Sequence, residues 1–377
     1  MPGIYIHIPF CKRKCHYCNF YSSTLLRYKR DFADVLLREI KLRKDYLPSA
    51  PVGTIYLGGG TPSLLSVDDL SKIFDALYGT FRITGDAEVT LEANPDDLSE
   101  NYLDDLRRLP VNRLSIGIQS FSGDDLHFLN RIHSAAQAVT SIEQAQKKGF
   151  TNLSIDLIYG IPTLTPGKWA DHLHTAFSFN IPHISAYALT VESGTALEHL
   201  ILKGKIQAPD EAAMVEHFHI LCDQMEKNGY THYEISNFCR DERFARHNVS
   251  YWTNESYLGL GPAAHSYNGY SRQWNRPDVK SYIESLLQDQ PEFEMEILSR
   301  DQLYNEYVMT SLRTMWGCSA DVVFEKFGKD YHSHLLGQAG RWIDSGHLFL
   351  QENILKLTRK GQLFADRIAS ELFNAVE

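Results

Sequence analysis

Apolar and polar positions alternate along the first 190 residues in two different rhythms. Short runs of apolar and β-branched residues are followed by longer stretches in which apolar residues recur every three or four positions. The short runs predict six strands, at 4–8, 54–57, 88–92, 113–118, 153–159 and 183–189. The longer stretches predict helices at 31–47, 67–78, 99–109, 135–148 and 166–179.

This order of strands and helices predicts a parallel sheet. Polar residues and glycines gather where each strand ends, which is where parallel α/β folds place their ligands. We expect an α/β fold built as an incomplete, TIM-like (β/α)6 barrel that is open on one side. A flat, doubly wound sheet is the alternative, because periodicity alone does not separate the two.

The rest of the chain predicts two further regions. A helix at 210–228 leads to a dense aromatic loop at 247–270, and residues 300–377 predict helices, a strand pair and a final helix at 360–373. That last order is typical of a small, winged-helix-like α+β domain. We therefore expect a barrel at 1–195, a barrel-closing extension at 196–298 and the winged-helix-like domain at 299–377.

Composition and charge remove several classes of function. The 377 residues include 37 Lys and Arg against 47 Asp and Glu, a net charge of −10, whereas a nucleic-acid-binding protein needs basic surface. No apolar run is long enough for a membrane helix, and the N-terminus lacks the pattern of a signal peptide. We expect a cytoplasmic protein with no nucleic-acid partner and no integral membrane segment.

Three of the six cysteines, Cys11, Cys15 and Cys18, lie within eight residues directly after the first predicted strand. Three thiolates can hold a [4Fe–4S] cluster by three of its irons and leave the fourth iron open to another ligand. A zinc site completed by His7 or His16 is a second interpretation. Three unrelated thiols are a third.

Charged and flexible residues surround this motif. Lys12, Arg13 and Lys14 lie in the same loop, where positive charge favours thiolates. The second predicted strand ends in three glycines at 58–60, and glycine lets a ligand approach the backbone closely. The next three strands end near Glu92, Gln119 and Asp156, whose side chains suit hydroxyl and ammonium groups. A polar rim without a ligand is the competing interpretation.

The spacing Cys11-x3-Cys15-x2-Cys18 after the first strand resembles the signature of the radical S-adenosylmethionine (SAM) superfamily. The resemblance extends over nearly the whole chain to the coproporphyrinogen III oxidase-like branch of that superfamily. It is carried by residues 5–11, 58–65, 91–95, 113–121, 156–162 and 259–261. It implies a [4Fe–4S] cluster on the three cysteines and SAM at the open iron. The residues that it places around the SAM are Tyr5, Tyr17, Gly59, Gly60, Thr61, Glu92, Gln119, Arg131, Asp156 and Ala188.

The branch contains two kinds of protein. Its oxygen-independent dehydrogenases carry a fourth cysteine and a longer N-terminal extension, whereas this chain has Phe20 at that place and only ten residues before Cys11. Its haem chaperones have the shorter start and a His-Asn-x-x-Tyr-Trp motif, which is similar to residues 247–252. The resemblance implies haem binding, haem-acceptor proteins as partners and an electron donor for the cluster. Oxidative decarboxylation of coproporphyrinogen III by a 5′-deoxyadenosyl radical is the alternative.

The side chains of this motif also suit haem on chemical grounds alone. A neutral imidazole such as that of His247 is a normal ligand for haem iron, and Tyr251 and Trp252 offer flat faces for a porphyrin. The residues alone also allow an aromatic loop that packs across the open side of the barrel, with His247 as a structural residue. The resemblance favours haem binding by His247, Tyr251 and Trp252, with His247 as the iron ligand.

Overall fold

The computed structural model describes residues 1–48 and 50–374. The strands are β1 Gly3–Ile8, β2 Val52–Gly59, β3 Ile83–Ala93, β4 Arg113–Gln119, β5 Leu153–Tyr159, β6 His183–Ala188, β7 Thr231–Glu234, β8 Asn237–Cys239, β9 Tyr257–Leu260, β10 His265–Tyr267, β11 Ser271–Asn275, β12 Phe293–Ile297, β13 Cys318–Ser319, β14 Leu348–Gln351 and β15 Ile354–Leu357. Residues 375–377 of the expected third region lie outside the described residues.

The helices complete the description of the chain. They are α1 Lys29–Leu42, α2 Val67–Thr80, α3 Glu100–Leu106, α4 Gly123–Phe128, α5 Ala135–Lys147, α6 Pro166–Ser178, α7 Ala196–Leu202, α8 Glu211–Lys227, α9 Arg246–Trp252, α10 Val279–Leu287, α11 Arg300–Leu312, α12 Ala320–Phe327, α13 Lys329–Asp344, α14 Arg359–Gln362 and α15 Ala365–Glu371. In the part of the chain that the structure describes, no helix is long and apolar enough to cross a membrane.

The order of the first six strands decides between a barrel and a doubly wound sheet. Strands β1 to β6 are parallel and lie side by side in chain order. Right-handed crossovers between successive neighbours place every helix on one face, whereas a doubly wound sheet reverses its order at a switch point. The sheet therefore curls with its helices outside, and the expected incomplete barrel is confirmed.

Each barrel strand has one apolar and one polar face. On β1 the outward residues Ile4, Ile6 and Ile8 are fully buried in the main core, which includes Phe32 of α1 and Leu70 of α2. The inward positions carry polar and aromatic side chains instead, such as Tyr56 on β2, Glu92 on β3 and Asp156 on β5. The barrel is therefore sealed outside by apolar packing and keeps a polar interior.

The later strands extend both edges of this sheet. Strands β8 and β7 continue from β6, whereas β9 pairs in parallel with β1 and is followed by β10, β11 and β12. The aromatic loop expected at 247–270 is wrong, because this stretch contains α9, β9 and β10. Its aromatic residues alternate with small and apolar residues, and β9 pairs with β1 of the barrel. The expectation of a loop did not take this alternation into account.

The C-terminal region has a core of its own. Helices α11, α12, α13 and α15 pack around the three-stranded sheet β13-β15-β14, and the β14–β15 hairpin occupies the place of a wing. The single final helix expected at 360–373 is wrong, because α14 and α15 are separate. Helix α14 packs so tightly on the hairpin that a Cβ on Gly361 would lie 2.0 Å from the His347 carbonyl oxygen.

Candidate metal and cofactor site

The cysteine loop follows β1 directly, at the carboxyl ends of the parallel strands. Cys11 N donates to the Ser23 carbonyl at 3.1 Å, and Cys18 N donates to the Cys15 carbonyl at 3.4 Å. These bonds curl the loop so that all three thiols, which are free and half-buried, line one cavity. The spacing of the cysteines thus produces a common site.

Contacts from other elements hold the loop in place. His16 Nδ1 donates to the Phe128 carbonyl at 2.9 Å, and the His16 carbonyl accepts from Leu197 N at 2.8 Å. Asn130 Nδ2 donates to the Lys14 carbonyl at 2.9 Å. The loop is therefore anchored to α4 by the His16 side chain and to α7 by its backbone, which leaves the thiols free to face the cavity.

The positively charged group that forms a hydrogen bond with a sulfur comes from outside the loop. Arg131 Nη1 donates to Cys15 Sγ at 3.4 Å, and Thr61 Oγ1 donates to Cys11 Sγ at 3.5 Å. Burial raises the pKa of the Cys11 and Cys18 thiols. A group that binds thiolates would reverse this effect, because it supplies the compensating positive charge.

Lys12 does not face the thiolates, contrary to the expectation from the sequence. Its Nζ forms an ion pair with Asp96 at 2.7 Å and a second with Asp97. The carboxylates that follow β3 offer the ammonium a stronger partner than a half-buried thiol. Arg13 and Lys14 of the same loop do line the cavity.

The geometry favours a cluster over a single zinc ion. Zn–S bonds of about 2.3 Å in a tetrahedron require sulfurs only about 3.8 Å apart. Within the described residues, no three His, Cys, Asp or Glu side chains converge closely enough to hold one metal ion. His7 has no spare nitrogen, because its Nε2 donates to the Tyr21 carbonyl at 2.8 Å and its Nδ1 pairs with the Tyr5 hydroxyl at 3.1 Å. A [4Fe–4S] cluster binds its cysteine sulfurs through three separate irons, so the three sulfurs need not converge on one atom.

The cavity beneath the loop has a volume of about 400 Å³, within the usual range for small-molecule sites. Nine of the ten residues expected around SAM line it: Tyr17, Gly59, Gly60, Thr61, Glu92, Gln119, Arg131, Asp156 and Ala188. Tyr5 does not line it. The Tyr5 hydroxyl pairs with His7, and its ring stacks on Tyr56 at a centroid distance of 6.1 Å.

Two backbone positions shape the wall of the cavity. Gly59 has φ +103°, and a Cβ there would lie 2.5 Å from the His7 ring, so only glycine fits. Gln119 ends β4 with φ 64°, a strained conformation for a residue with a side chain. Gly117 leaves room for both Gln119 Nε2 and Arg131 Nη2, since a Cβ there would lie 3.0 and 3.2 Å from them. The chain is bent so that these side chains reach the cavity.

Two carboxylates face the same interior. Glu92 Oε1 accepts from the Tyr56 hydroxyl at 2.6 Å, and Glu92 Oε2 accepts from Gly59 N at 3.2 Å. Burial raises the pKa of Glu92 to about 7, and the nearby Asp156 adds to the shift. Burial likewise raises the pKa of Asp156 to about 6. A cationic ligand would favour the ionised form of both groups, so the pair suits an ammonium or sulfonium compound.

The His247 motif lies at the other end of the barrel. It forms α9, which packs against the start of β2. His247 is 1% exposed, its Nδ1 pairs with Thr54 Oγ1 at 2.8 Å and its Nε2 pairs with the Tyr251 hydroxyl at 2.9 Å. Burial lowers the pKa of His247 to about 3. The half-buried Trp252 lies under the Arg313 guanidinium, 5.4 Å from the ring centroid.

The structure therefore does not bring His247 to the cavity or to an accessible surface. Both of its ring nitrogens are engaged within the protein. An iron atom could bind Nε2 only after the Tyr251 hydroxyl moved away and the ring became accessible. Ligation of haem by His247 stays a prediction, with this structural condition attached to it.

Several residues of the site were not identified from the sequence. Asn94 joins two walls, because its Oδ1 accepts from Arg131 Nη2 at 2.7 Å and its Nδ2 donates to Thr61 Oγ1 at 3.2 Å. Tyr56 holds Glu92, and Tyr187 lines the cavity from β6. The signal was available, because every second residue of these strands is polar or aromatic, and such alternation identifies an inward face.

A barrel cavity with three cysteines at its mouth is the arrangement of radical SAM proteins, and residues 5–176 match the family model described as the Radical SAM superfamily. The fold resembles that of the coproporphyrinogen III oxidase HemN from Escherichia coli, with a TM-score of 0.86. That match has 24% identity and covers 99% of this chain and 90% of the other. Membership of the superfamily implies a [4Fe–4S] cluster and SAM.

Comparison with curated proteins identifies the family within this superfamily. "Heme chaperone HemW" of Bacillus subtilis is 33% identical over 371 residues, which cover 98% of each chain. The protein of the same name from Escherichia coli K12 is 35% identical over 265 residues, which cover 70% of this chain and 69% of that one. The chain therefore belongs to the HemW family of the radical SAM superfamily.

Proposed function

We propose that this protein is a haem chaperone that binds haem and transfers it to acceptor proteins, with a [4Fe–4S] cluster and SAM as its other cofactors. The observation that carries the proposal is the polar barrel cavity with three free thiols at its mouth. The full-length similarity to proteins named as haem chaperones supports it. An electron donor for the cluster and a cytoplasmic location, where thiols stay reduced, are parts of the same proposal.

The residues present fit a cluster. Cys11, Cys15 and Cys18 would hold it, and Arg131 and Thr61 already donate toward two of the sulfurs. Donors of this kind stabilise an anionic cluster and tune its potential. When bound, the cluster supplies one electron and an open iron for SAM.

The residues of the cavity also fit SAM. Glu92 and Asp156 provide negative charge for a cationic ligand, whereas Gln119 and the backbone of Gly59 and Gly60 provide neutral polar groups beside them. What these residues do is bind and orient the ligand. The enclosing barrel limits the access of water to it.

Haem binding by this protein would require a conformational change of α9. Another cavity, of about 220 Å³ beside α9, is lined by residues that include Thr54 and Val249 and is smaller than the usual ligand site. Haem ligation by His247, with Tyr251 and Trp252 against the porphyrin, therefore requires α9 to shift. Tyr251→Phe frees Nε2 of His247 and should strengthen haem binding, whereas His247→Ala should weaken it. Unchanged affinity in both variants would assign the iron ligand to another residue.

Anaerobic reconstitution with iron and sulfide tests the function as a whole. The reconstituted protein is given haem in one assay, and coproporphyrinogen III with SAM and a reductant in another. We expect stoichiometric haem binding, haem transfer to an apo-acceptor and no protoporphyrinogen IX. Decarboxylation of the porphyrinogen without haem binding would replace the chaperone by the dehydrogenase.

A further inference from the structure

Tyr56 contacts both ends of the barrel interior. Its hydroxyl donates to Oε1 of Glu92, which lines the cavity, at 2.6 Å. Its ring stacks on His247 with centroids 5.1 Å apart and planes inclined by 25°. A single side chain therefore bridges the cavity carboxylate and the buried imidazole of α9.

Glycines make room for both ends of this bridge. A Cβ on Gly58 would lie 2.7 Å from Tyr56 Cε1 and 2.9 Å from Glu92 Oε1, within the hydrogen-bonded pair itself. A Cβ on Gly3 would lie 2.6 Å from Thr54 Oγ1 and 3.1 Å from His247 Cε1. Any other residue at Gly58 would push Tyr56 and Glu92 apart, and any other residue at Gly3 would displace Thr54 or His247. The bridge is thus tightly enclosed where it meets each partner.

A ligand in the cavity would act on this bridge directly. The Glu92 carboxylate accepts from Tyr56 on one oxygen and from Gly59 N on the other. A ligand ammonium or hydroxyl that donates to Oε1 would compete with the Tyr56 hydroxyl. The Tyr56–Glu92 bond would then have two arrangements, the closed one of this structure and a shared or open one with the ligand bound, and such a two-state element is what coupling requires.

We propose that Tyr56 is a positioning residue that couples occupancy of the cavity at Glu92 to the packing of His247. The inference rests on the proposed function only in taking SAM as the ligand. It assigns Tyr56 two tasks: its hydroxyl holds the carboxylate for the ligand, and its ring transmits the resulting shift to α9. Because α9 also contacts the C-terminal region through Trp252 and Arg313, a shift of α9 at His247 would be passed on to that contact.

The test uses the reconstituted full-length protein with 15N-labelled histidine. The ring signals of His247, assigned by their loss in His247→Ala, are followed by NMR while SAM is added to saturation. We expect SAM to shift these signals in the wild type. In Tyr56→Phe, which keeps the ring on His247 but lacks the hydroxyl, we expect the shift to be lost at the same SAM occupancy.

Tyr282 provides a matched control. Its hydroxyl donates to the buried Glu39 at 2.6 Å, the same chemistry at the same distance, but between α10 and α1 on the outside of the barrel. Tyr282→Phe should leave the SAM-induced shift of His247 intact. A shift that survives in Tyr56→Phe, or that disappears equally in Tyr282→Phe, would overturn the coupling.

Calorimetry of SAM binding separates the two levels of the proposal. SAM that binds the wild type without moving the His247 signals overturns the coupling and leaves the proposed cofactor in place. Absence of SAM binding overturns both. If Tyr56→Phe fails to fold, Gly58→Ala is the second variant. It should displace both Tyr56 and Glu92 and shift the His247 signals before any SAM is added, and unshifted signals would contradict the bridge.

Discussion

Glu88 and Glu92 lie four residues apart on the same face of β3, yet they do different work. At the start of the barrel, Glu88 is 5% exposed and accepts from the backbone N–H groups of Arg246 and His247, at 3.1 and 3.0 Å. The N-cap residue of α9, Ala245, has no side-chain acceptor. Glu88 therefore caps α9 from a neighbouring strand.

Glu92 has the opposite surroundings. It has partners on both oxygens, but it also faces a cavity of about 400 Å³ together with Asp156. Burial raises its pKa to about 7, so the folded protein holds this carboxylate in an unfavourable state when it is ionised and no cation is bound. Two glutamates on one strand thus have different roles. Glu88, whose partners are backbone N–H groups of α9, fastens that helix to the barrel, whereas Glu92, which faces a cavity, forms part of a candidate ligand site.

The largest effect should come from removing the thiols of the mouth. Replacement of Cys11, Cys15 and Cys18 with Ala should abolish the visible absorbance of the reconstituted cluster, because no ligand remains for the iron. The thermal unfolding of the apoprotein should change little, since these side chains lie outside the core. Cys222→Ala, on the apolar face of α8, is the control and should keep the absorbance. If the triple variant kept its visible absorbance, the iron would have to be bound by other residues.

Glu88→Ala should affect stability and spare ligand binding. It leaves two N–H groups at the buried start of α9 without an acceptor, and each unsatisfied group costs about 1–3 kcal/mol. We expect the free energy of unfolding, from urea titration, to fall by about 2 kcal/mol or more, with SAM affinity unchanged. Glu88→Gln keeps an acceptor oxygen and should recover part of the loss. A Glu88→Ala protein that is as stable as the wild type but binds SAM weakly would contradict the different roles given to Glu88 and Glu92.

Glu92→Gln should do the reverse. A hydrogen bond to a charged group contributes about 1.5–3 kcal/mol, so the SAM dissociation constant from calorimetry should rise about tenfold or more. The amide keeps the size of the side chain, and the protein should stay folded at neutral pH. Asp68→Asn, in the first turn of α2 and exposed, is a carboxylate control. Equal SAM affinity in Glu92→Gln and the wild type would remove Glu92 from the site.

The smallest effect is a pH slope. The pKa of Glu92 in the folded protein lies above its ordinary value of 4.5, so the folded state keeps this proton to higher pH than the unfolded state does. The stabilising contribution is therefore complete below about pH 4.5 and is lost as the pH rises toward about 7. Buried histidines such as His247, whose pKa is lowered, contribute the opposite slope in both proteins. The free energy of unfolding of the apoprotein should therefore fall, relative to that of Glu92→Gln, as the pH rises through this window. Parallel slopes would contradict the raised pKa.

Much of the fold could be predicted because it rests on local patterns. The six barrel strands were placed within a few residues of their observed bounds, except for β3, which begins at Ile83 rather than at 88. Helix α1 ends at Leu42, five residues before its predicted end at 47. The short helices α4 and α7 were not predicted, because six or seven residues rarely establish a helical period. Helix α3, also of seven residues, was predicted only as part of the longer stretch 99–109.

The candidate site could be predicted only in part. The cysteine loop and the polar strand ends follow from spacing and topology, since parallel strands bring their carboxyl ends to one edge. The partner of Lys12 could not be predicted, because Asp96 and Asp97 lie 84 and 85 residues away in the chain. That Tyr5 does not line the cavity could not be predicted either, because this depends on how far along the barrel axis each inward-facing residue lies.

The sequence by itself determined the order of strands and helices, the cysteine loop and the family, because these depend on residue spacing and on alternation along single elements. Only the tertiary structure decided that α9 closes the far end of the barrel, with its histidine sealed between β2 and a tyrosine. It also decided that Tyr56 bridges Glu92 and His247. Such contacts join residues from distant parts of the chain, and their distances follow from the curvature of the whole sheet, which no local pattern encodes.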